Sequence, residues 1–199
     1  HLVISAIKLD ENNDADMTYR CFQYLDCLYS SAKIVTRGKL GFQYGTISAR
    51  IQTTEGVGMW PAFWMLGEPM DTQGWPLAGE IDIMEWVGKA PLEALGTLHG
   101  PGYFGDNGCG GKLTAETPFS DEWHEFSITW KPNEITWFVD DQQYFQATPE
   151  SVAPNQWVYE HPYYLLLNLA VGGNLGGKFG IDDLIFPAQM KVDWVKVFQ

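Results

Sequence analysis

Apolar and polar residues alternate with period two along much of the chain, while the three-to-four spacing of an amphipathic helix is almost absent. Phe126, Ile128 and Trp130 alternate with Glu125, Ser127 and Thr129, and Ile135, Trp137 and Val139 with Thr136 and Phe138, which predicts two half-buried strands joined at Lys131 to Asn133. Asp140-Asp141 reads as a turn into a strand over Gln143 to Gln146. Leu2 to Ile7, Ala32 to Thr36, Phe42 to Ile51, Leu95 to His99 and Met190 to Phe198 are strand-like, and Gly56 to Trp64 is a glycine turn leading into an aromatic strand. Tyr163 to Val171 is an apolar run interrupted only by Asn168. The polar, acidic stretch Asp10 to Asp26, the Pro- and Gly-rich stretch Glu68 to Leu77, and Gly100 to Gly111, with six glycines, read as loops. Many short strands in one chain predict an all-β fold, an antiparallel β-sandwich or jelly roll forming a single domain over residues 1–199.

One stretch breaks step. In Gly79-Glu80-Ile81-Asp82-Ile83-Met84-Glu85-Trp86, strict alternation puts Ile81 and Ile83 on one face, Glu80 and Asp82 on the other, and Glu85 with the isoleucines. A charge on that core face costs several kcal/mol unless it is paired or neutralised. A β-bulge at or near Met84 removes the conflict, because one extra residue returns Glu85 to the face of Glu80 and Asp82. Pro76, Gly79 and Gly88 leave too little room for a helix, and the spacing of an EF-hand calcium loop is absent. Carboxylates crowded on one face drive each other's pKa values apart, so that one stays ionised while another keeps its proton. Retaining glycoside hydrolysis needs such a pair, about 5 to 5.5 Å apart. The plainer alternative is the solvated, charged face of an edge strand.

Composition narrows the partners. A formal charge of −13 with only 12 Lys plus Arg argues against nucleic acid and anionic membrane surfaces, and no apolar run approaches the ~18 residues of a membrane-spanning helix. Nine Trp are more than a core of this size needs, and flat indoles suit the apolar faces of sugars, although most are expected to be core. Cys21, Cys27 and Cys109 have no metal-ligand spacing. Cys21 and Cys27 could close a small loop in an oxidising compartment, or all three could be inert thiols.

Taken together, Tyr44-Gly45 to Arg50, Gly58 to Leu66, Gly79 to Glu85, Leu98 to Tyr103, Leu167 to Gly173 and Asp193-Trp194-Val195 resemble, block by block and in order, glycoside hydrolase family 16. The six-residue form Glu80 to Glu85 with Met84 is similar to the laminarinase-like endo-β-1,3-glucanases of that family, whereas lichenases carry a form one residue shorter. The resemblance implies a jelly roll with a carbohydrate-binding cleft and a secreted, monomeric enzyme acting on β-glucan polysaccharide by double displacement. It implies Glu80 as nucleophile and Glu85 as acid/base, with Asp82 between them holding a proton shared with Glu80 and releasing it as the glycosyl-enzyme forms. Trp60 and Trp64 resemble sugar platforms beside the reacting ring. His99, Asn168, Arg50 and Tyr103 are further substrate-binding candidates. No cofactor is required. Asp193 matches a calcium aspartate of the family, so a structural calcium is an expectation. The family pattern also implies a further N-terminal segment ahead of the first strand, without which a sheet edge would be exposed.

Two other readings share the scaffold. Some family members lack the carboxylates and only bind glucan, against which stand Glu80 and Glu85. Others act on mixed-linkage glucan, agar or carrageenan, and sulfated polyanions would want a basic cleft, which this acidic chain does not promise.

Overall fold

The computed structural model describes residues 1–9 and 27–199, so the expected loop over Asp10 to Asp26 lies outside the described residues. In chain order the strands are β1 (Leu2–Lys8), β2 (Tyr29–Ser30), β3 (Lys33–Val35), β4 (Gly45–Gln52), β5 (Met59–Gly67), β6 (Glu80–Trp86) and β7 (Glu93–His99). They continue with β8 (Cys109–Thr114), β9 (His124–Lys131), β10 (Glu134–Val139), β11 (Gln142–Ala147), β12 (Tyr163–Val171) and β13 (Ala188–Phe198). The strands form two antiparallel sheets, one in the order β11-β10-β9-β4-β13-β1-β2 and the other β3-β12-β5-β6-β7-β8. Their facing sides enclose one core, built from Ile4, Ile47, Phe63, Ile81, Ile128, Trp137, Leu165 and Met190 among others. This is the sandwich that the alternation predicts.

Two stretches differ from the reading of the sequence. The glycine-rich segment after His99 is a loop only as far as Gly108, and Cys109-Gly110-Gly111 begins β8. Glycine suits β8 because its neighbours come close: a β-carbon on Gly111 would stand 2.7 Å from the Phe145 side chain. The loop before β6 contains a one-turn helix at Met70–Gln73. Met70 packs with Trp64, Leu66, Tyr164 and Leu166 in a second, smaller apolar cluster on the outer side of the six-stranded sheet. That cluster explains the unbroken apolar run of β12, which is covered on both faces over part of its length.

The register of β6 contains the expected bulge. Against β5, Asp82 pairs with Trp64, while Met84 pairs with Phe63 and Glu85 with Ala62, so Ile83 is the extra residue. Against β7, Asp82 pairs with Thr97 and Glu85 with Leu95, leaving Ile83 and Met84 opposite Gly96 alone. Ile83 and Met84 are both wholly buried, and Glu85 returns to the face that carries Glu80 and Asp82. Gly79 starts the strand with φ +76° and lies under Tyr163, whose hydroxyl would be 2.0 Å from any β-carbon there.

This register predicts an asymmetry between two variants. Deleting Met84 leaves Glu85 on the outer face in a regular strand and should cost about 2–5 kcal/mol, chiefly for the lost buried methionine. Inserting an alanine after Met84 turns Glu85 toward the core and should cost more. Thermal melts followed by circular dichroism measure both, and an insertion variant that melts with the parent would contradict the assigned parity.

Candidate active site

The outer face of the six-stranded sheet follows from the pairings. Residues directly opposite in antiparallel strands share a face, so Ala62 lies beside Glu85, Trp64 beside Asp82, Glu80 beside His99, and Asp82 beside Thr97. On β12, Asn168 pairs with Ala62 and Ala170 with Trp60, which adds both to the same face. Glu80, Asp82, Glu85, Trp60, Trp64, His99 and Asn168 are thereby brought together. A cleft of about 790 Å³ runs over this surface, with Trp60, Trp75, Glu80, Glu85, His99 and Asn174 among its walls.

Each acidic side chain is held by uncharged or weakly basic donors. Trp75 Nε1 donates to Glu80 Oε2 at 2.7 Å, and Trp60 Nε1 donates to Glu85 Oε1 at 3.1 Å. The Thr97 hydroxyl donates to Glu85 Oε2 at 3.3 Å. His99 Nε2 lies 3.1 Å from Asp82 Oδ2, and among the described residues Asp82 Oδ2 and His99 Nδ1 are both buried without a hydrogen-bond partner. The backbone of His99 is fixed from below, where the Tyr159 hydroxyl donates to its carbonyl at 3.0 Å.

Burial sets the protonation. Desolvation pushes Glu80 up to about 9, Asp82's charge adds to it, and His99 and the Trp75 N–H pull the other way. Asp82, only 2% exposed, is raised by burial first and by the charge of Glu85 second. Glu85 is raised by burial, against the opposing pull of His99, Trp60 and Thr97. Glu80 and Asp82 stand close enough that charge on Asp82 opposes ionisation of Glu80, so the pair gives up its protons in separate steps. The three donor atoms of Glu80, Asp82 and His99 lie within 4.8 Å of one another, a spacing that could gather a cation.

The remaining candidates divide between the cleft face and other parts of the molecule. Trp64 stands on the cleft face and donates through Nε1 to Asn168 Oδ1 at 2.7 Å, so Asn168 is satisfied by orienting an indole. The expectation that Arg50 lines the cleft is corrected: it sits on β4 of the other sheet, alternates with the buried Ala49 and Ile51, and points outward to pair with Asp193 at 2.9 Å. Tyr103 is corrected as well, since it is 5% exposed, belongs to the core, and donates to the Gln156 carbonyl at 3.0 Å. Asp193 is flanked by Arg50 and by His1 Nε2 at 3.1 Å, and among the described residues it joins no group of three metal-ligating side chains. Cys109 is free and Cys27 is disulfide-bonded, whereas Cys21 lies outside the described residues.

Trp75 and Thr97 are site residues that the sequence reading missed. Thr97 was legible, because it sits two residues before His99 on one strand and so shares its face. Trp75 gave a weaker signal, a large aromatic between Gly74 and Pro76 in a loop with little else to bury.

The raised Glu80 makes stability depend on pH with a definite sign. Below the ordinary value of 4.5 the folded and unfolded chains both hold the proton; between 4.5 and about 9 the unfolded chain has released it and the folded chain has not, so this group lowers stability increasingly as pH rises. Glu80→Gln should therefore melt roughly 2–8 °C above the parent at about pH 8, equivalent to about 1–2 kcal/mol, with the gap closing near pH 4. A pH-independent difference in melting temperature would contradict the assignment.

Comparison with known proteins bears on the family and the fold. The family described as Glycosyl hydrolases family 16 matches residues 4–196. A β-glucanase of Rhodothermus marinus is 41% identical over 181 residues, which cover 86% of this chain and 63% of that protein, so the chain spans less than two thirds of that relative's length. The laminarinase catalytic domain of Thermotoga maritima superposes with a TM-score of 0.89 at 37% identity, over 99% of this chain and 76% of that one. The endo-β-1,3-glucanase of Pyrococcus furiosus gives 0.88 at 40% identity, over 98% and 73%. A match running from β1 into β13, on a sandwich that holds three carboxyls on one bulged strand, places the chain in glycosyl hydrolase family 16.

Proposed function

We propose that this chain is an endo-acting, retaining glycoside hydrolase that cleaves β-1,3-glucan. The observation that carries the reading is the pair Glu80 and Glu85, set on one cleft face by the bulge and each gripped by its own indole N–H. The names of the relatives support the linkage and the endo mode, and the aromatic walls Trp60 and Trp75 suit a neutral sugar.

In the proposed reaction Glu80 attacks the anomeric carbon as its proton passes to Asp82, while Glu85 protonates the departing glycosidic oxygen. The nucleophile–sugar bond forms as the sugar–oxygen bond breaks. Glu85, now ionised, takes a proton from water, the water attacks the anomeric carbon, and Glu80 leaves with net retention and takes its proton back from Asp82. Burial suits Glu85 to this cycle, because a carboxyl raised above its ordinary value still holds a proton near neutrality. Trp60 and Thr97 each hold one of its oxygens and so aim the proton. The chemistry needs no metal, and a structural calcium at Asp193 would have to displace Arg50 and His1. The disulfide at Cys27 supports a secreted protein, since such bonds persist in oxidising compartments.

Two experiments test the reading. Laminarin should release short oligosaccharides faster than lichenan, with agarose untouched; release from agarose alone would overturn the substrate, and binding without release would favour a glucan-binding protein. Glu80→Ala should lose turnover and recover part of it with azide, giving an α-linked glycosyl azide. Glu85→Ala should keep activity only on substrates whose leaving group needs no protonation. The reverse pattern would exchange the two roles.

A further inference from the structure

Asp82 is held by its backbone as well as by its carboxyl. The β6–β7 ladder lapses between the Asp82–Thr97 and Glu85–Leu95 pairs, and at the start of this gap the Asp82 carbonyl accepts a hydrogen bond from Trp137 Nε1 at 2.8 Å. Trp137 belongs to β10 of the opposite sheet and is wholly buried, so its indole crosses the interior of the sandwich to reach the bulge. Its path runs under Gly96, the single residue of β7 that faces the bulge. A β-carbon on Gly96 would stand 2.4 Å from Trp137 Cδ1, 2.7 Å from its Nε1 and 2.5 Å from the Tyr144 hydroxyl. Tyr144 reaches the same spot because β11 has its own bulge: the pairing with β10 steps from Trp137–Phe145 to Phe138–Gln143, and Tyr144 is the residue left over. Two bulges on opposite sheets thus converge on one glycine.

A bulged strand can take up a backbone carbonyl that its neighbours do not pair, and a buried carbonyl must find a donor. We propose that Trp137 is a positioning residue for the reaction: its indole N–H pins the Asp82 carbonyl, holds the bulge at Ile83–Met84, and so sets Glu85 relative to Glu80, with Gly96 as the aperture it needs. The inference rests on the proposed roles of Glu80 and Glu85. Glu80 and Asp82 lie before the bulge and Glu85 after it, so a loosened bulge moves the acid away from its partners while leaving the sugar platforms Trp60 and Trp64 in place on β5.

The sharpest variant replaces Trp137 with 3-benzothienylalanine, which keeps the shape of the ring and removes only the N–H; Trp137→Phe and Gly96→Ala act on the same contact more coarsely. With laminarin, kcat should fall at least about tenfold with KM held within about twofold, since misplacement of a reacting group by about 1 Å costs on the order of a hundredfold. An aryl glycoside with a good leaving group should be slowed much less, because it does not depend on Glu85 for protonation. The pH–rate profile should shift, and NMR titration of ¹³C-labelled carboxyls should show Asp82 and Glu85 displaced without reference to turnover. Ile4→Ala, in the core on β1 and four strands away from β10 in the seven-stranded sheet, should lower the melting temperature while leaving kcat and the pH profile unchanged. A benzothienylalanine variant with the parent's kcat, pH profile and carboxyl titrations would overturn the proposal and leave Trp137 as ordinary core. Failure of the parent to cleave any β-glucan would overturn the function instead, and the carboxyl titrations would still decide what Trp137 does.

Discussion

Everything on the cleft face depends on the parity of β6. A strand offers alternate positions to core and solvent, and a carboxyl that must act beside Glu80 cannot sit five positions along a regular strand without entering the core. The bulge resolves this by spending two buried residues, Ile83 and Met84, where each neighbouring strand supplies one. The interior of the sandwich is built to suit. Gly96 leaves a gap, Trp137 fills it and bonds the Asp82 carbonyl, and Tyr144 is turned inward by a second bulge. Packing and catalytic geometry are therefore one problem in this protein.

Electrostatics adds a second constraint. The hydrogen-bond donors to Glu80 and Glu85 are indoles and a threonine, and the base beside Asp82 is an imidazole. Arginine or lysine in those places would pin the carboxyls ionised, because a nearby fixed positive charge lowers a carboxyl's pKa. Neutral donors orient the oxygens while leaving burial free to raise all three groups. The consequence is a site that is costly to keep folded as pH rises, in line with the general opposition between active-site function and stability. The formal charge of −13 has little part in this, since the reacting carboxyls act on one another at close range.

The loop between β5 and β6 links fold to site. Its helical turn places Met70 on the apolar end of the outer face, and a few residues later Trp75 arrives over Glu80. The outer face of the six-stranded sheet is thus divided into a covered apolar end around Leu66, Tyr164 and Leu166 and an open polar floor over Glu80 to Glu85.

Much of this was legible in the order of residues. Period-two patterning located most of the strands because half-buried strands must alternate, and the broken alternation at Glu85 announced the bulge because a buried charge is expensive. What the pattern could not convey is which strands meet. Arg50 looked like a cleft residue because nothing local distinguishes the outer face of one sheet from that of the other. Only the pairing of β4 with β9 and β13 assigns it to the far side, and only the third dimension gives it Asp193 as a partner. Tyr103 was misread for the same reason, since a hydroxyl on a loop aromatic does not reveal whether it meets a sugar or the Gln156 carbonyl. Trp137 carried no signal at all: its alternation with Thr136 and Phe138 is that of any core residue, and its role depends on a gap at Gly96 some forty positions away. Local order along the chain decided the elements and the carboxyls, because those follow from side-chain periodicity; the tertiary structure decided the partners, because hydrogen bonds and burial depend on contacts that sequence distance does not measure.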